Sequence, residues 1–240
     1  MSSAGQRARR LAAELVIVVF GVLIALWADG LAAERSDRRS LNVHLDAVGA
    51  ELRQVSSGLD EHVEMLETQL ELLDWLAAHG AGDVSGDADE LQRAVGQGLL
   101  NPVTFEPTLG ALATLENSGL MPMIRNVELR TSLSGLRDGL RFLATTETVN
   151  ITGPAQRLFD PWVLDELPFV WRQMARYGGL TGGPDEPLRN ADWSPLRSDR
   201  GQAIVAMQYD LVASILRDWR QFAIHLDTAT GLIEHELGGG

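Results

Sequence analysis

Leu41, Leu45, Val48, Leu52, Val55 and Leu59 recur at alternating steps of four and three, and Val63, Leu66, Leu70, Leu73 and Ala77 resume the pattern. Only a helix brings residues at that spacing onto one side, so the stretch from after Gly30 to about Ala78 reads as one long helix with a narrow apolar seam. The step from Leu59 to Val63 repeats a four. Such a stutter, directly after Ser56-Ser57-Gly58, makes this the favoured place for a kink. Gly80 and the loop "GAGDVSGD" stop the helix.

A second heptad closes the chain: Val212, Ile215, Trp219, Phe222, Leu226, Ala229 and Ile233, ending at three glycines, with Asp199 and Gln202 as the expected caps. Shorter helices lie between. Asp87 with Glu90 resembles a capping box for a helix to about Leu99. Pro107 suits the first turn of a helix closed by Gly119. Another helix is expected from about Asn126 to Thr146, carrying Leu129, Leu133, Leu136, Leu140 and Leu143. Asp160 to Tyr177 reads as two short turns or one Pro-kinked helix, and Gly178 to Ser198 as a long loop. No strand alternation of useful length appears. The expected class is all-α: the first and last long helices carry complementary seams and should pack side by side, with the shorter helices, in a bundle.

Ahead of the first heptad stands "RARRLAAELVIVVFGVLIALWADG". From Leu11 to Ala28 the one charged side chain is Glu14, and eighteen helical residues rise about 27 Å, close to the roughly 30 Å of bilayer hydrocarbon. The chain therefore divides into a short basic tail (1–10), a transmembrane helix (11–29) and a helical extracytoplasmic domain (30–240). Leu31-Ala32-Ala33 is a mediocre signal-peptide cleavage site, and Trp27 stands where an interfacial aromatic anchor belongs, so retention is preferred to cleavage. Arg10 and Glu14 are spaced for an i, i+4 pair with a short snorkel to the headgroups. Gly21 and Ala25 have the small-x-x-x-small spacing that allows close helix approach, a weak signal by itself. Three arginines precede the apolar run and three follow it. Those at Arg7, Arg9 and Arg10 abut it, which favours a cytoplasmic N-terminus and a periplasmic domain on a bacterial inner membrane.

Composition removes several functions. All 20 basic residues are arginine, against 33 acidic ones, for a net charge of −13. A nucleic-acid partner is not expected, since phosphate binding needs a net basic face, and the arginine usage fits a GC-rich bacterial genome. Without cysteine there is no disulfide or thiolate chemistry. The five histidines, His44, His62, His79, His225 and His235, fall mostly at helix ends or polar faces, and none follows a Glu by three positions. Neither a di-iron nor a His-Glu-x-x-His pattern exists. Ser57, Ser118 and Ser134 each precede Gly-Leu, which suits a helix end or small-residue contact rather than a nucleophile elbow. No catalytic, metal-ligating or cofactor-binding residue is assigned, and the chain is not expected to be an enzyme.

Two features remain as candidate interaction surfaces. Trp162, Phe169, Trp171 and Tyr177 crowd the kinked helix, as core residues in the first reading and as a ligand or partner groove in the second. Trp193, exposed-looking in its loop, is the other.

"ELVIVVFGVLIALWADGLAAER" and "FEPTLGALATLENSGLMPMIRNVELRTSL" resemble the opening and the central element of an uncharacterised family of bacterial single-pass membrane proteins, a domain of unknown function. The two stretches cover about a quarter of the chain. "WADG" stands where that family usually has an Asn-containing exit, and "LSGLRDGL" where aromatics are common. The resemblance implies a retained anchor and no catalytic residue. The expected function is a membrane-anchored, non-catalytic interaction or scaffold protein that binds a membrane protein partner or itself. An extracytoplasmic ligand sensor is the alternative.

Overall fold

The computed structural model describes residues 3–80, 88–100, 104–152, 161–163, 165–167 and 192–238, with the side chains of residues 3–19, 80, 88, 89, 92 and 150–152 outside the description. Every element among the described residues is helical. The α-helices described over their length are, in order, α1 (Ser3–Gly80), α2 (Ala88–Arg93), α3 (Gly110–Asn117), α4 (Val127–Thr152) and α5 (Asp199–Gly238), and residues 161–163 and 165–166 are helical as well. A π-helical segment, Ala94–Leu99, continues α2, and 3-10 turns at Met121–Met123 and Ser194–Arg197 lead towards α4 and α5.

The apolar N-terminal run and the first heptad form one 78-residue helix, about 117 Å long at 1.5 Å per residue. Asp29-Gly30 does not divide them, because one glycine costs only about 1 kcal/mol of helix propensity against alanine. Among the described residues no helix is long and apolar enough to cross a membrane. Residues 11–19, the first half of the span expected from the sequence, have side chains outside the description.

The expected stutter in α1 is not present. The buried seam runs Leu41, Leu45, Val48, Leu52, Val55, Leu59, His62, Leu66, Gln69, Leu73 and Leu76, an unbroken alternation of four and three, with Gly49 and Leu72 also buried beside it. Val63 and Leu70 are only partly buried beside it. The seam passes through two polar residues, and a search for apolar side chains steps around them. Gly58 serves a contact: a Cβ there would lie 3.1 Å from the Phe105 ring.

Helices α1 and α5 make the largest interface. They run antiparallel, since Arg53 pairs with Glu234 at 3.5 Å while Glu67, about four turns further along α1, pairs with Arg220. Helix α4 is antiparallel to α5 in turn, with the Arg125 amide donating to Glu236 at one end and Glu147 meeting Trp219 towards the other. Hence α4 is parallel to α1. The three seams enclose one apolar core.

Helix ends differ from expectation wherever the cap comes from elsewhere. α3 begins at Gly110, past Pro107, because Glu51 of α1 accepts the Ala111 and Leu112 amides at 2.9 and 3.1 Å. Those amides have no intrahelical acceptor, and the carboxylate also faces the positive end of the helix dipole. Glu51→Ala is expected to destabilise the protein by about 1 kcal/mol in urea unfolding; an unchanged midpoint would show that water caps α3 equally well. Gly119 ends α3 at φ +75°, as expected. Asn126 caps α4 through the Glu128 and Leu129 amides. At α5 the cap is Ser198, whose Oγ accepts the Gly201 amide at 3.0 Å, rather than Asp199. Gln202 reaches back to the Leu196 carbonyl at 2.7 Å. Asp87, half of the expected box at α2, lies outside the described residues.

Candidate functional site

Counting on from Leu143 by four brings the α4 seam to Glu147, just as counting on from Leu59 by three brings the α1 seam to His62. Both are core positions, 2% and 0% exposed, and they meet. The His62 Nε2–H donates to Glu147 Oε1 at 3.2 Å. The Trp219 indole of α5 donates to the same oxygen at 3.4 Å, and the Phe105 amide, from the segment before α3, donates to Oε2 at 3.2 Å. An amide and an indole can only donate, so both carboxyl oxygens act as acceptors. Aromatic rings wall the cluster: Phe105 stacks on His62 at 5.4 Å between centroids, and Trp219 meets both edge-on at 5.4–5.7 Å. The histidine's other nitrogen, Nδ1, is buried with no hydrogen-bond partner among the described residues.

One turn-pair further along α1, Gln69 repeats the theme. Its amide donates at 2.9 Å to the carbonyl of Gly98 in the π-helical segment, where the helical ladder is loosened. Gly98 is needed for that approach, since a Cβ would sit 3.0 Å from the Leu72 Cβ.

Chemically the cluster is a buried polar layer. A cavity of about 340 Å³ between α1 and residues 105–108 is lined by Phe105 and includes neither His62 nor Glu147. Of its two carboxylates, Glu51 and Glu106, the first already caps α3. Among the described residues no group of three or more His, Asp or Glu side chains is arranged to hold a metal. What the layer does is hold three helices in register. A buried polar group at a seam position has its partners in one alignment only, and a slip by a turn leaves each of them desolvated and unpaired.

The residues singled out in the sequence separate into three groups. Trp162 is fully buried and Trp193 is 9% exposed, so both are core side chains and Trp193 is not the exposed residue its loop suggested. Asp192 beside it caps the following turn by accepting the Ser194 amide at 2.9 Å, and hydrogen bonds from the Ser194 side chain and backbone hold its carboxyl below the usual range. Phe169, Trp171 and Tyr177 lie outside the described residues, so a groove built from all four aromatics is not among the described features. Of the anchor residues, Arg10 and Glu14 lie on α1 with side chains outside the description, while Gly21, Ala25 and Trp27 are exposed. His62, Glu147 and Gln69 were missed. The reading of His62 as a polar-face histidine is corrected by its complete burial.

No family model, curated protein or solved structure matches this chain.

Proposed function

We infer that the protein is a membrane-tethered helical interaction or scaffold module, with α1 as both tether and first helix of the bundle. The observation that carries this is the state of residues 20–27. Phe20, Val22, Leu23, Ile24, Leu26 and Trp27 are each more than half exposed, on every side of the helix. A helix that is apolar all round needs an apolar surround, and this one has no protein against it. The sequence continues the run back to Leu11 with one charge, and the resemblance to single-pass membrane proteins favours the same reading. Between it and Leu41, where burial begins, α1 crosses a charged stalk carrying Arg35, Arg38 and Arg39, about 20 Å long. In this reading the basic tail stays in the cytoplasm and the bundle stands in the periplasm.

The test is the intact mass of the protein recovered from carbonate-washed bacterial membranes. Full-length mass in the pellet is expected. A soluble product lacking roughly the first 33 residues would mean a cleaved signal peptide and would overturn the tether. The ligand-sensor alternative needs a cavity near Trp162 to Tyr177; Trp162 is buried, and Phe169, Trp171 and Tyr177 lie outside the described residues.

A further inference from the structure

The outer face of α4 carries a second seam that is exposed among the described residues. Val127, Thr131, Gly135, Asp138, Phe142, Thr145 and Val149 follow one another at steps of four and three, on a different side from the buried seam. Val127, Phe142 and Val149 are 61%, 65% and 54% exposed. One turn before Phe142, the glycines at 135 and 139 leave a groove of about 320 Å³, edged by Thr131, Ser132 and His225 and walled by Phe222. A Cβ on Gly139 would touch the Phe222 ring at 3.3 Å, whereas Gly135 faces open space. A cavity of about 150 Å³ already holds a benzene ring. One helix face therefore presents both an aromatic knob and a hole that a phenyl ring fits.

We propose that this face binds a second copy of the chain, α4 against α4 and antiparallel, with Phe142 of each seated in the Gly135–Gly139 groove of the other. The charges select that arrangement. With Phe142 over the gap between the second copy's glycines, the exposed Asp138 stands opposite the second copy's Arg141, and two-fold symmetry makes the contact twice. A parallel pairing would set Asp138 against Asp138. The pairing does not rest on the tether, but it has a consequence for it. Because α4 runs parallel to α1, the two α1 stalks leave the dimer at opposite ends, so two chains anchored side by side in one stretch of membrane do not pair this way with straight stalks.

The test is the mass of the full-length chain in mild detergent, by light scattering and sedimentation across a wide concentration range. The wild type is expected to carry the protein mass of two 26.1-kDa chains. Phe142→Asp and, independently, Gly135→Leu should each raise the dimer dissociation constant roughly tenfold or more. Both positions are exposed, so far-UV circular dichroism should be unchanged. Asp138→Arg and Arg141→Asp should each weaken the dimer, and the double variant D138R/R141D should restore it. A wild type that stays monomeric, a dimer that survives Phe142→Asp, or a double variant no better than its parents overturns the proposal. A dimer held through the Gly21 and Ala25 face of α1 would give the second of these results. A failed tether would show instead as a chain soluble without detergent, in which the same masses are measured.

Discussion

Glu147→Ala is expected to destabilise the bundle by about 3–5 kcal/mol, the largest effect of any single polar substitution. The carboxylate accepts from His62, Trp219 and the Phe105 amide, and alanine leaves all three donors buried with no acceptor. Each orphaned group costs about 1–3 kcal/mol of desolvation. Against a total stability of about 5–15 kcal/mol this is a substantial fraction. Urea unfolding followed by circular dichroism reads the loss, and hydrogen exchange at the Phe105 amide should quicken well beyond its neighbours. Glu147→Gln keeps one acceptor oxygen and should lose about 1–2 kcal/mol. The double variant H62L/E147L removes the buried polar pair and should recover part of the loss, though not all, since the Phe105 and Trp219 donors stay unmatched. A loss below about 1 kcal/mol for Glu147→Ala would mean that water reaches the cluster, and the account of a sealed register layer would fail.

Trp219→Ala should cost a similar amount, about 3–5 kcal/mol, for a different reason. The indole is 1% exposed and meets the rings of His62, Phe105 and Phe222 edge-on at 5.4–5.9 Å between centroids. Removing it opens a cavity at the meeting point of all three seams, where no single helix can move in without leaving its own register. Trp219→Phe keeps most of the apolar contact and loses one hydrogen bond, for about 1 kcal/mol from that bond. The comparison separates packing from polarity: equal losses for Phe and Ala would assign the effect to the hydrogen bond, and the packing argument would be wrong. Chemical unfolding of both variants in the full-length chain decides it.

The long helices were legible because their period is carried by many residues. Leu41 to Leu59 and Val212 to Ile233 lie on the buried faces their spacing predicts. The polar layer was not legible, although its signal was present. Counting on by threes and fours from Leu59, Leu66 and Leu143 lands on His62, Gln69 and Glu147. A reading that looks for apolar side chains skips to Val63 and Leu70 and ends α4 at Thr146. Burial follows from geometry along the helix, and a polar residue at a seam position is carried inside with its neighbours once partners are there to meet it.

By itself the sequence determined the helical class, the seams and the charged outer faces, because each is a local periodicity written within a few turns. It also determined the apolar run from Leu11 to Ala28, with Glu14 its one charge. Only the tertiary structure decided that α1 passes through Gly30 without a break, that Glu51 caps a helix 60 residues away in the chain, and that His62, Glu147 and Trp219 stand at one height. Period is a property of one helix. The alignment of three helices depends on where their chains return, and only packing and the buried hydrogen bonds select it.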